Sequence, residues 1–186
     1  MSSLTQDFLR VPDLVRDYAL TTFVETGCES CVSLGVAHSL GLRCISCDVN
    51  GDYVAQGRAR YPNAEISHAE SLAGLAYACS RIGYDEPCLV WLDAHWGPPP
   101  YDTYPVKAEL EYLLHNLKPL QKSVILVDDF SAVMAQSLTD PDLARFQGSA
   151  FVNYTAADLC ALLPDHDFVV LAENTGVAQW TPKART

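Results

Sequence analysis

Pro87-Cys-Leu-Val-Trp-Leu-Asp-Ala-His-Trp96 is the stretch that decides how this chain folds, because its unbroken apolar run from Cys88 to Leu92 ends abruptly in Asp93 and His95. A strand buried on both faces reads this way, since neither face has room for a polar side chain. Ser123-Val-Ile-Leu-Val-Asp-Asp-Phe130 repeats the form and closes on Asp128 and Asp129. Two such strands predict one parallel sheet. Ligands of open α/β sheets bind beyond the carboxyl ends of the strands, so three carboxylates and an imidazole should gather at one rim.

The segments on either side alternate between strand and helix. Thr22-Phe-Val-Glu-Thr-Gly27 predicts a short strand ending in an acid and a glycine; Glu29 to Leu40 then carries Val32, Leu34, Val36, Ala37 and Leu40 before Gly41 stops the helix. Leu42-Arg-Cys-Ile-Ser-Cys-Asp48-Val49 reads as a second strand ending in an acid, and Asp52 to Tyr61 as a helix stopped by Pro62. Glu65 to Glu70 predicts a third strand and Ser71 to Ile82 the helix after it. A helix over Leu9 to Tyr18 opens the chain, and Val106 to Leu117 is amphipathic and ends at Lys118-Pro119. Later the pattern weakens: Asp129 to Gly148 reads as a loop with a short helix, and Thr155 to Leu163 as a helix capped by Thr155. Phe168 to Ala172 and Val177 to Trp180 predict a hairpin around Asn174-Thr-Gly176. The fold class is therefore α/β, a doubly wound and mostly parallel sheet in three α/β/α layers, with a C-terminal antiparallel hairpin at one edge.

Composition bounds the function. The 186 residues are 49% hydrophobic and 19% charged, which suits one domain with a proper core. The net charge of −11 comes from 23 acidic against 12 basic residues, and the basic ones are scattered singly, which disfavours binding to nucleic-acid phosphates. No stretch approaches membrane-spanning length and Met1-Ser-Ser-Leu-Thr5 lacks a basic, apolar leader, so a soluble, cytoplasmic protein without membrane contact is expected. The 7 cysteines, an odd count in such a chain, predict reduced thiols. Cys28-x-x-Cys31 and Cys44-x-x-Cys47 have the spacing of a zinc site, but residues three apart on a strand point to opposite faces. Small buried cysteines are the better reading.

The strand ends carry the chemistry. A glycine after the first strand, Gly27, lets a ligand approach the backbone, and Asp48 at the end of the second suits the hydroxyls of a ribose. Cys28-Glu-Ser-Cys31 replaces the glycines that would cradle a diphosphate, and Glu29 would repel one. A nucleoside cofactor without a diphosphate fits better, with Glu25 accepting from a cationic amino-acid moiety. Glu70-Ser71 could receive the adenine end of that ligand and reads equally well as a helix cap. Asp93, Asp128 and Asp129 would repel one another on one rim unless a hard cation such as Mg2+, Mn2+ or Ca2+ neutralised them. Such an ion orients a substrate hydroxyl and lowers its pKa, with His95 as a further ligand or the general base.

Taken together, Phe23-Val-Glu-Thr-Gly27, Asp48, His68-Ala-Glu-Ser71, Trp91-Leu-Asp-Ala-His95, Pro105-Val-x-x-Glu109-Leu110 and Ile125-Leu-Val-Asp-Asp129 resemble a class I S-adenosylmethionine-dependent methyltransferase. More narrowly, they resemble a bacterial and phage group related to metal-dependent sugar O-methyltransferases of the macrocin type. The resemblance covers residues 22–130, with 1–20 as an N-terminal helix and 131–186 as the C-terminal helix and hairpin of a single Rossmann-like domain over 1–186. It implies S-adenosylmethionine held by Glu25, Thr26 and Gly27 at the methionine part, by Asp48 at the ribose, and by Glu70 and Ser71 at the adenine end, with Asp93 also in contact. It implies Mg2+ or another hard divalent cation on Asp93, Asp128 and Asp129, and His95 and Asp93 as catalytic residues. Cys31 stands where the group has a second glycine. Gly97 to Tyr104, with Tyr101 and Tyr104, is the candidate lid. The implied partner is a small hydroxylated methyl acceptor, with homo-oligomerisation left open. Two other readings stay open: a metal-dependent hydrolase, which leaves Asp48 and Glu70 without a task, and a Rossmann-like binding protein without catalysis.

Overall fold

Thr22–Thr26 forms β1, all five residues of which are buried, the polar Thr22, Glu25 and Thr26 included. The computed structural model describes residues 10–94, 105–128, 161–171 and 177–184. Within them the chain runs α1 (Val11–Asp17), β1, α2 (Val32–Ser39), β2 (Arg43–Asp48), α3 (Gly51–Arg60), β3 (Glu65–His68), α4 (Ser71–Arg81), β4 (Cys88–Leu92), α5 (Val106–Asn116), β5 (Val124–Val127), β6 (His166–Leu171) and β7 (Val177–Pro182). The strands make one sheet in the order β3-β2-β1-β4-β5-β7-β6. The first five are parallel to their neighbours, while β7 runs antiparallel between β5 and β6. The expected doubly wound sheet with a terminal hairpin is therefore the observed one.

The strand order places a topological switch at the middle of the sheet. From β1 the chain winds outward through β2 and β3, then returns to lay β4 against the other side of β1. At this switch the two following segments leave in opposite directions and open a crevice above the strand ends. Thr26 pairs with both Cys47 and Leu92, so the ends of β1, β2 and β4 lie level with one another.

Side-chain alternation splits the interior into two layers. Phe23, Cys44, Leu89, Trp91 and Leu126 pack with Val11, Leu14, Leu34, Ala37 and Val54 of α1, α2 and α3. On the other face Val24, Ile45, Val90, Leu92, Ile125 and Trp180 pack with Leu75 and Ala78 of α4 and Val106, Leu110 and Leu113 of α5. Trp91 and Trp180, the two largest fully buried side chains among the described residues, thus anchor opposite layers. Phe168 of the edge strand lies 4.7 Å from Trp180, centroid to centroid, and ties the hairpin to the core.

Several boundaries differ from the sequence reading. α2 begins at Val32 rather than Glu29, because residues 27–31 form a turn in which Glu29 and Cys31 take φ of 38° and 58°. β3 ends at His68, two residues early, since Glu70 already serves as the N-cap position of α4. α3 starts at Gly51 because the Asn50 side chain accepts from the Asp52 N–H at 2.9 Å, a cap that the sequence reading passed over. The hairpin strands extend to His166 and Pro182. The Asn174-Thr-Gly176 turn, the loop over Asp129 to Gly148, the candidate lid over Gly97 to Tyr104, and the helix over Thr155 to Leu163 apart from its end lie outside the described residues. Among the described residues no helix is long and apolar enough to cross a membrane.

Candidate functional site

The turn after β1 is the tightest point of the switch. Gly27 has φ +80°, and a Cβ added there would stand 2.5 Å from the Asp93 carbonyl oxygen and 3.1 Å from Ala94 Cα. The sequence suggested that this glycine admits a ligand; the closest approach is made by the chain's own backbone as it leaves β4. Only glycine allows both the dihedral and the contact. The Gly27 and Cys28 N–H groups donate to the Cys47 carbonyl at 2.9 and 3.2 Å, and Cys31 N–H donates back to Cys28 at 2.6 Å. Cys31 holds a left-handed backbone conformation that favours glycine.

Glu25 lies beneath this turn and is 1% exposed. The Ser33 hydroxyl of α2 donates to one carboxyl oxygen, and the Ser46 hydroxyl donates to the other at 2.7 Å. Ser46 is the residue paired with Glu25 across β1 and β2, so the parallel register puts the two side chains on one face. Burial pushes the Glu25 carboxyl from an ordinary value near 4.5 up to about 7, against the pull of both serines, and the Asp48 charge adds to the rise. The sequence reading missed Ser33 and Ser46, because a partner set by strand register leaves no local signal.

Asp48 ends β2 with its carboxylate already oriented: Oδ2 accepts from Glu29 N–H at 2.9 Å and Oδ1 from Asn50 N–H at 2.7 Å. Each oxygen keeps lone-pair capacity for one more donor. Glu70 is exposed and makes no side-chain cap bond, while Ser71 begins α4 half-buried. Thr26, Gly27, Asp48, Glu70 and Ser71 accordingly follow one another along the carboxyl ends of β1, β2 and β3.

Asp93 and Asp128 stand at the ends of adjacent strands. Asp93 N–H donates to the Thr26 carbonyl at 3.1 Å, and Asp128 N–H to the Leu92 carbonyl at 3.1 Å, so each continues its ladder one residue past the strand. The indole Nε1 of Trp91 donates to Asp93 Oδ2 at 3.2 Å. His95 and Asp129, the other members of the expected cluster, lie outside the described residues. Among the described residues no group of three or more His, Cys, Asp or Glu side chains is gathered to hold a metal ion.

Glu109 was quoted in the sequence only as part of a motif, and the structure gives it a place. It lies in the first turn of α5, 0% exposed, on the same buried side as Val106, Leu110 and Leu113. The hydroxyls of Thr26 and Ser71 are its polar neighbours, yet neither carboxyl oxygen completes a well-aligned hydrogen bond. Burial pushes this carboxyl up to about 7, against the pull of the two hydroxyls.

The cysteines behave as buried apolar side chains. Cys44 packs in the α1–α3 layer, whereas Cys47 faces α4, where it lies against Gly74. Cys28, Cys31, Cys44, Cys47, Cys79 and Cys88 are all buried and free of disulfides, and burial pushes their thiols upward, to about 12 for Cys44 and Cys88.

No protein-family model matches the chain, and neither does any curated protein sequence. Its backbone is similar to several solved structures. The methyltransferase PaMTH1 of Podospora anserina, solved with S-adenosylhomocysteine bound, superposes with a TM-score of 0.67 at 17% identity, over 99% of this chain and 80% of that one. A Staphylococcus aureus protein inferred to be a caffeoyl-CoA O-methyltransferase gives 0.66 at 14% identity, over 98% and 85%. A methyltransferase of Geobacter sulfurreducens gives 0.59 at 13% identity, over 96% and 79%. At such identities the likeness establishes a shared fold alone, a Rossmann-like three-layer sandwich.

Proposed function

We propose that the chain is an S-adenosylmethionine-dependent methyltransferase that transfers a methyl group to the hydroxyl of a small molecule. The observation that carries this reading is the order of residues along the rim, Thr26 and Gly27, then Asp48, then Glu70 and Ser71, which suits an extended ligand laid out as amino acid, ribose and adenine. The likeness to a fold solved with S-adenosylhomocysteine supports it. In this reading Thr26 and Gly27 receive the methionine part, with Glu25 bracing the turn from below and Asp93 beside it. Asp48, its two oxygens aimed by the Glu29 and Asn50 amides, takes the ribose hydroxyls. Glu70 and Ser71 line the adenine end at the start of α4.

Thr26, Gly27, Asp48, Glu70 and Ser71 would hold the cofactor, which when bound would supply its sulfonium methyl to the acceptor oxygen, with S-adenosylhomocysteine as the other product. His95 takes the hydroxyl proton in this scheme, and the rim supplies alignment of the two reactants. Asp93 and Asp128, hard oxygen donors on adjacent strand ends, fit a divalent cation such as Mg2+, with Asp129 completing the set. Such an ion, when bound, orients the acceptor hydroxyl and lowers its pKa.

Calorimetric titration of S-adenosylhomocysteine into the purified protein, with and without Mg2+, tests the reading. Micromolar binding, about −8 kcal/mol, is expected, and it should vanish in Asp48→Ala. Absence of binding by folded wild-type protein under both conditions would refute the reading.

A further inference from the structure

His68 ends β3, belongs to the His68-Ala-Glu-Ser71 motif, and has no role in the scheme above. Parallel pairing sets it beside Asp48, the last residue of β2. Its exposed ring reaches over the turn that follows Asp48: Nε2 lies 2.9 Å from the Val49 carbonyl oxygen, and a Cβ built on Gly51 would meet the ring at 3.4 Å. A carbonyl only accepts, so Nε2 carries the proton and donates. The strand end is held separately, by the Ala69 N–H donating to the Asp48 carbonyl at 3.0 Å. The Val49 carbonyl shares one peptide unit with the Asn50 N–H, which donates to Asp48 Oδ1 at 2.7 Å. A trans peptide is planar, with its C=O and N–H on opposite edges. Fixing the carbonyl edge therefore fixes where the N–H edge points.

We propose that His68 is a positioning residue: its bond to the Val49 carbonyl locks the peptide plane between Val49 and Asn50, and the opposite edge of that plane aims the Asp48 carboxylate at the ribose hydroxyls of the ligand. The ligand half of this inference rests on the proposed cofactor; the relay from His68 to Asp48 does not. Val49 and Asn50 are only half-buried, so without the imidazole water takes its place at the carbonyl and the plane is free to turn. Oδ1 then loses its aimed donor, while Oδ2 keeps the Glu29 amide. The two bonds also support each other, because donation to the carbonyl polarises the peptide and makes its N–H a stronger donor.

The test uses His68→Ala, which removes the donor, and His68→Gln, whose side-chain amide keeps one. Hydrogen exchange is read first, without ligand, at the Asn50 amide bonded to Asp48 Oδ1 and at the Ala69 amide bonded to the Asp48 carbonyl. Exchange at Asn50 should quicken about three- to tenfold in His68→Ala and return towards the wild-type rate in His68→Gln, with Ala69 unchanged in both. S-adenosylhomocysteine and its analogue lacking both ribose hydroxyls are then titrated into each protein. His68→Ala should weaken the first about three- to tenfold, leave the second unchanged, and be rescued by His68→Gln. Unchanged exchange at Asn50 overturns the relay, and so does equal quickening at Ala69, which would mean a frayed strand end. Failure of His68→Gln to restore slow exchange assigns the effect to ring packing on Gly51 and overturns the donated bond. Equal losses for both ligands, or no loss for either, overturn the positioning role. If wild-type protein binds neither ligand, the proposed function fails while exchange still decides the relay.

Discussion

Replacing Glu25 with glutamine should change how stability depends on pH, and the structure sets the size of the change. In the folded protein this carboxyl keeps its proton up to about pH 7, against an ordinary value near 4.5. The folded state therefore binds more protons than the unfolded state between these limits, so the contribution of Glu25 to stability is fully present below about pH 4.5 and is lost as pH rises towards 7. At about 1.4 kcal/mol per pH unit, ionising Glu25 inside the fold costs about 3 kcal/mol once the pH is above 7. Glutamine keeps an oxygen for one serine and can donate to the other, but it does not ionise. Denaturation of both proteins at pH 5, 6, 7 and 8 should show the stability difference shifting in favour of Glu25→Gln by roughly 2–3 kcal/mol from pH 5 to pH 8. For a chain of this length that is roughly 5–10 °C in Tm. Glu109 slopes the same way, and His166, whose pKa burial lowers, opposes both at acid pH. Both groups are present in both proteins and drop out of the comparison. Parallel stability curves across the range would refute the reasoning, since they would mean that Glu25 ionises in the fold as easily as in water.

Two glycines make sharper steric predictions. Gly27→Ala must fit a Cβ 2.5 Å from the Asp93 carbonyl oxygen at φ +80°, which should cost about 3 kcal/mol in thermal or urea unfolding. A loss below about 1 kcal/mol would mean that the exits of β1 and β4 can separate freely. Gly74→Ala would overlap Cys47 Sγ and bring its Cβ within 2.6 Å of that of Cys47, a loss of about 1–3 kcal/mol. Adding Cys47→Ala removes the sulfur but not the Cβ contact, so it should restore part of that stability; if the double variant is no better than Gly74→Ala alone, the contact has been misjudged.

The resemblance to class I methyltransferases was legible in short local motifs, most of them at strand ends, whereas their arrangement was not. Glu25 could be identified as a conspicuous acid at the end of a buried strand, yet its partners Ser33 and Ser46 depend on where α2 docks and on the pairing of β1 with β2. The helix expected from Glu29 began instead at Val32, because the Glu29 amide bonds to the Asp48 carboxylate and the turn is held by Cys47. Glu109 was quoted as part of a motif in an amphipathic helix, and only packing shows its carboxyl fully buried.

By itself the sequence determined the kind and order of the elements. Unbroken apolar runs such as Cys88 to Leu92 demand burial on both faces, helical spacing demands one apolar side, and both patterns are properties of neighbouring residues. The late hairpin, too, was visible as two β-rich runs about a turn. The tertiary structure alone decided which strand ends meet at the switch, why Gly27 must be glycine, and which carboxyls lose their water. Those outcomes depend on atoms brought together from distant parts of the chain, Gly27 against Asp93 and Ser46 beside Glu25, where the energy comes from register and close packing rather than from local propensity.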